Sequence, residues 1–128
     1  MIEEDYVSAE VARLLKEKGF NQPLLTFYVC VDNNYSNEVS VMAFTDDTIE
    51  NNSDLYVLAP TLQMATKWLR EVQGLNIEII TYWTKDKNMV YGNRIVHNNA
   101  VLKEIDTAYN SYEQACNEAI KYCLETLI

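Results

Sequence analysis

The sequence predicts an α+β fold: a mainly antiparallel sheet of about five strands with three packed helices, in the order αβββαββα. Three segments repeat apolar residues at helical spacing between a capping residue and a stop. Between them lie short runs rich in Val, Ile, Leu, Tyr and Phe, joined by turn residues so that they read as hairpins.

The first helix spans 9–18, capped by Ser8, with Val11, Leu14 and Leu15 as its apolar stripe and Glu10, Arg13 and Glu17 on the wet side. Gly19 supplies a left-handed stop, Phe20 can fold back on Leu15, and Pro23 blocks continuation. Leu24–Val31 reads as a strand apolar on both faces, hence central. Asp32–Asn37 is a turn-rich loop, Val39–Phe44 the returning strand, Thr45–Asp54 a polar loop and Leu55–Leu58 a third strand. The run Ala59–Gly74 then holds a complete helix. Pro60 stops the strand, Thr61 caps, and Leu62, Ala65, Trp68, Leu69 and Val72 form the stripe opposite Gln63, Lys67 and Arg70. Gly74 ends it and Leu75 can cover the end.

Ile77–Thr84 and Met89–Ile95 flank Lys85-Asp86-Lys87-Asn88 as a hairpin. A two-residue or a four-residue loop gives the same pairing, Thr84 opposite Met89 and Tyr82 opposite Tyr91. One face would then carry Ile77, Ile79, Trp83 and Val90, and the other Ile80, Tyr82, Met89 and Tyr91. Residues 96–110 read as either a strand end or a short helical turn. The last helix opens at Ser111 with a capping box to Gln114, and its stripe is Tyr112, Ala115, Cys116, Ala119, Cys123 and Leu127, widened by Ile120 and Leu124.

A chain of 128 residues is expected to form one domain, 1–128, with a single core. Its net charge of −9, with basic residues scattered from Arg13 to Lys121, argues against nucleic-acid binding, which needs clustered Lys and Arg. The opening Glu3-Glu4-Asp5 is unlike a secretory signal, and no apolar run approaches a membrane span. Three widely spaced cysteines give no disulfide framework. Cys116 and Cys123, about 10 Å apart along one helix face, are too distant to bridge. All three read as buried or half-buried thiols, and the expected location is cytoplasmic.

Three blocks carry a resemblance. They are Y-V-S-A-E-V-A-R-L-L-K-E-K-G-F at 6–20, A-P-T-L-Q-M-A-T-K-W-L-R-E-V-Q-G-L-N-I-E-I at 59–79 and S-Y-E-Q-A-C-N-E-A-I-K-Y-C-L at 111–124. Together they resemble an uncharacterised family of small proteins from Bacteroides-type gut bacteria, their phages and integrated mobile elements. Residues 32–54 and 85–110 do not match it in detail. The resemblance implies a compact domain and a mobile-element setting, and it carries over no catalytic residue.

Candidate chemistry is sparse. His97, the single histidine, sits beside Asn98 and Asn99 and reads as a loop residue rather than a ligand. Asp46, Thr48, Glu50, Asn52 and Asp54 alternate as in a calcium loop, but Asn51 stands where Gly is needed and Val57 where a bidentate Glu is needed. No cysteine has a base beside it, and three glycines leave little room for a phosphate loop. The expectation is therefore no catalytic residue, no metal and no cofactor.

The aromatic hairpin is the better candidate. With Ile77 and Ile79 packed inward, Tyr82, Tyr91, Met89 and Ile80 would form an outward patch of the composition enriched at protein interfaces. The favoured function is a non-enzymatic accessory protein of a phage or mobile element that binds another protein through this face. One alternative is a small-ligand domain holding a nucleotide or metabolite between the hairpin and Lys67 or Arg70. Another is an acidic nucleic-acid mimic that inhibits a host protein.

Overall fold

A computed structural model describes residues 2–32, 34–41 and 55–128. The acidic loop positions 46–54, whose alternation only superficially resembles a calcium loop, and the expected strand residues 42–44 lie outside the described residues. The class is α+β, with helices α1 (Ala9–Glu17), α2 (Leu62–Gln73) and α3 (Tyr112–Tyr122). The strands are β1 (Thr26–Val31), β2 (Asn34–Tyr35), β3 (Ser40–Val41), β4 (Tyr56–Leu58), β5 (Asn76–Trp83), β6 (Met89–His97) and β7 (Ala100–Tyr109). Every pairing between them is antiparallel, but they form two sheets where one of about five strands was expected. Backbone proximity groups the chain into two units, Met1–Gln63 and Met64–Ile128.

In the first unit, α1 starts as its sequence dictates, with the Ser8 hydroxyl accepting from Val11 N–H at 3.3 Å. It stops in a complete Schellman motif. Phe20 N–H donates to Leu15 O at 2.9 Å and Gly19 N–H to Lys16 O at 3.2 Å, around Gly19 at φ +93°. Val11, Ala12, Leu14, Leu15 and Phe20 are buried as this motif requires. The segment before α1 runs antiparallel to the entry of α2: Val7 N–H donates to Pro60 O and Leu62 N–H to Asp5 O. The Tyr28 hydroxyl donates to Val7 O at 2.6 Å, tying β1 to the same segment.

β1 is the central strand. Phe27 pairs with Ser40 of β3 on one side and Leu58 of β4 on the other. The loop expected at Asp32–Asn37 contains the two-residue strand β2, because Asp32 at φ +50° turns the chain back on itself. Between β2 and β3 the Ser36 side chain replaces a ladder bond, accepting from Val29 N–H at 3.1 Å.

In the second unit, β5, β6 and β7 form a meander with β6 in the middle. Residues 96–110, ambiguous in sequence, complete β6 and form β7. The turn between them is Asn98-Asn99, with φ +50° and +65°, between the paired residues His97 and Ala100. Two successive left-handed residues make a type I′ turn, which matches strand twist, and Asn tolerates that conformation better than other residues with a side chain. His97 is therefore a strand residue rather than a loop residue. Its ring Nδ1 lies 2.9 Å from Gly74 O; a carbonyl only accepts, so Nδ1 carries the proton.

α3 lies across this sheet, and the Asn93 side-chain amide donates to Ala115 O at 3.1 Å. Ala115, Cys116, Ala119, Ile120, Cys123 and Leu124 are buried as the stripe predicts, whereas Tyr112 at its start is exposed. Val72, placed in the α2 stripe by its angle, is also exposed in the last turn of that helix. No helix among the described residues is long and apolar enough to cross a membrane.

Candidate functional site

The geometry of the aromatic hairpin is decided by its turn. Lys87 N–H donates to Thr84 O at 3.0 Å, Lys87 takes φ +62°, and Thr84 N–H donates to Asn88 O at 2.8 Å. This is a three-residue loop: a type I turn, then a left-handed residue that forms a bulge. The Thr84 hydroxyl accepts from Asn88 N–H and holds the same turn. An odd loop shifts the pairing by one residue from that of an even loop. Observed partners are Trp83 with Met89, Tyr82 with Val90 and Thr81 with Tyr91.

The expected pairing of Thr84 with Met89 and Tyr82 with Tyr91 is thus corrected, and with it the expected face. Side chains of direct partners share a face and neighbours along a strand do not. Met89 and Tyr91 lie with Thr81, Trp83, Asn93 and Ile95 on the side that α3 covers. Ile80 and Tyr82 lie on the opposite side with Val90, Arg94 and Val96. The four residues Tyr82, Tyr91, Met89 and Ile80 do not form one patch.

What the register assembles instead is an aromatic cluster where the hairpin runs past the start of α3. Trp83 is 69% exposed and stands opposite Met89, which is 41% exposed. Tyr91 is the next residue of β6 on that face, and its partner on β7 is Tyr109, both half-buried. Tyr112, the first residue of α3, is 50% exposed and meets Tyr91 edge to face, with centroids 6.4 Å apart and planes at 88°. Its position is set by the cap, since the Ser111 hydroxyl accepts from Gln114 N–H at 3.1 Å. The return bond of the box goes one residue earlier than expected, from Asn110 N–H to the Gln114 side chain.

Charge around the cluster is mixed: Lys85, Asp86 and Lys87 occupy the exposed turn, and Glu113 follows Tyr112. Partial burial pushes the Tyr112 hydroxyl up, with Cys116 and Glu113 adding to the shift, so it stays protonated and can both donate and accept. The opposite face of the sheet has a different character. Arg94 donates from Nε to Glu78 at 2.6 Å and stands opposite Glu104 of β7 in the ladder; its proton is held more tightly through the Glu78 hydrogen bond and charge.

Compared with protein-family models, curated proteins and solved structures, the chain has no match. Function therefore has to be argued from these side chains. Among the described residues no three or more His, Cys, Asp or Glu side chains converge as a metal site would require. Cys116 and Cys123 are buried, and burial pushes their thiols up to about 11 and about 12, away from the thiolate a nucleophile needs. Lys67 and Arg70 are exposed on α2. The cluster offers broad aromatic area with a few hydroxyls.

Sequence reasoning left Trp83 and Tyr112 out of the patch: Trp83 takes the expected inward face with Ile77 and Ile79 but is 69% exposed at the end of the hairpin, and Tyr112 was assigned to the core stripe of α3. Tyr112 carried a signal: directly after the cap, it lies a full turn ahead of the first buried residue pair, Ala115 and Cys116. The face of Trp83 follows from alternation with Ile77 and Ile79; what the parity of the turn decides is which β6 residues share that face.

Proposed function

We propose that this chain is a non-catalytic protein-binding domain whose docking surface is the cluster Trp83, Met89, Tyr91, Tyr109 and Tyr112. The observation that carries this is Trp83, a large apolar side chain 69% exposed and set directly opposite Met89 beside the Tyr91–Tyr112 pair. Trp, Tyr and Met are the side chains that concentrate at interface centres, where a few of them supply most of the affinity. The resemblance of residues 6–20, 59–79 and 111–124 supports a mobile-element setting, in which the protein acts as an accessory that engages a host or phage protein.

The reading is tested by affinity capture from a host lysate with three forms of the protein. The wild type should retain a specific partner, and Trp83→Ala/Tyr112→Ala should weaken it by about 30-fold or more, as expected for interface anchors. Ile80→Ala/Tyr82→Ala, on the other face, should retain it. A partner held equally by the first variant, or lost only in the second, would sink the proposed surface.

A further inference from the structure

The ladder between β5 and β6 occupies only one edge of β5. Because Thr84 N–H donates across the hairpin to Asn88 O, the backbone groups of Thr84 point toward β6. In an antiparallel ladder this direction alternates along the strand. Tyr82, Ile80 and Glu78 therefore also point toward β6, while Ile77, Ile79, Thr81 and Trp83 point their N–H and C=O groups away. Among the described residues no backbone hydrogen bond reaches those outward groups.

The strand itself lacks the proline, lysine and bulge that commonly blunt pairing. β5 is eight residues long and regular in register. The other edge strand, β7, is interrupted twice by irregularities and carries Lys103. The one charge on β5, Glu78, is already held by Arg94, so the strand is locally neutral in a chain of net charge −9.

We propose that β5 pairs antiparallel with β5 of a second copy about a two-fold axis at Ile80, joining two three-stranded sheets into one of six strands. The argument for a second copy is self-complementarity. A two-fold axis normal to the sheet keeps the α3 side of both copies on one face, so outward residues must meet outward residues. With Ile80 on the axis, Ile79 faces Thr81 of the other copy and Ile77 faces its Trp83. The exposed Trp83 indole then lies beside an isoleucine, twice by symmetry, and Glu78 faces Tyr82 rather than another carboxylate. Trp83 contributes to both surfaces, so self-pairing would compete with partner docking, while exchange at the outward β5 amides tests the pairing by itself.

Sedimentation over a concentration series, combined with amide exchange, tests the pairing. The expected result is a species of twice 14.8 kDa that strengthens with salt, because two acidic copies repel at low ionic strength. Amide exchange at Ile77, Ile79, Thr81 and Trp83 should slow as the dimer forms, while that of Glu78, Ile80 and Tyr82 is unchanged. Thr81→Pro removes one outward donor per copy without touching the β6 ladder and should raise the dimer Kd by about 30-fold, while Tyr112→Ala should leave it unchanged. A monomer at every concentration and salt level would overturn the proposal. So would a dimer whose outward β5 amides exchange as fast as in the monomer, a readout that does not depend on the proline variant folding.

Discussion

Cys116 of α3 and Cys123, in the π-helical turn Cys123–Leu127 that follows it, are both buried, with a consequence for stability. Desolvation raises the Cys116 thiol from its ordinary 9.0 to about 11, with Glu113 adding to it. Cys123 rises to about 12 against the opposing pull of its backbone hydrogen bond and Lys103. The Lys103 ammonium itself sits 3.4 Å over the Tyr122 ring, its charge on the aromatic face. Below pH 9 folded and unfolded chains both hold these protons, and the thiols add their full stabilisation. As pH rises from about 9 through 11 to 12, the unfolded chain releases protons that the folded chain keeps, so stability falls. Tyr28, raised by its own burial, acts in the same direction. Urea unfolding between pH 8 and 11 should show this alkaline decline, and a Cys116→Ala/Cys123→Ala variant should show a shallower slope even though its absolute stability is lower. Equal slopes would mean that the thiols are solvated in the folded state.

At the scale of elements, the helices were the legible part because each writes its own ends. Ser8 and Ser111 cap as their spacing implies, and Gly19 and Gly74 sit at φ +93° and +70°, where a side chain is strained. The hairpins were less legible for one shared reason: a strand's face depends on turn parity, and the turn depends on which residue goes left-handed. In Lys85-Asp86-Lys87-Asn88 that residue is Lys87, and nothing about a lysine announces φ +62°. Met89 and Tyr91 were consequently placed on the outward face with Ile80 and Tyr82, whereas the register sets them with Ile77, Ile79 and Trp83 on the side that α3 covers; the candidate site was half legible, through Met89 and Tyr91 as members. Asn98-Asn99 did announce its turn, yet β7 behind it is irregular at two places, which breaks the alternation by which strands are recognised. The turn gives a prediction. Asn99→Gly supplies the preferred residue of a type I′ turn and should hold or raise stability by up to about 1 kcal/mol, whereas Asn99→Val forces a β-branched residue to positive φ and should cost about 2 kcal/mol. Chemical denaturation midpoints decide between this and a turn that is indifferent to its second residue.

For the molecule as a whole, the dominant electrostatic fact is the excess of nineteen acidic over ten basic residues. Ion pairs among the described residues include Arg13–Glu17, Arg94–Glu78 and Lys121–Glu125. All are partly solvated, two of them are i,i+4 pairs on helices, and such pairs contribute at most about 1 kcal/mol each. Added salt screens these attractions and the general repulsion together, so the sign of its effect shows which is larger. A net charge of −9 confined to one small chain opposes compaction throughout. Repulsion should win. Thermal unfolding of Thr81→Pro, chosen to separate folding from self-association, should shift upward by a few degrees between low and moderate NaCl at neutral pH. The wild type, if it pairs through β5, should gain more than the variant, because salt then favours both the fold and the dimer. A melting temperature that falls with salt in the variant would mean that its ion pairs outweigh its excess charge.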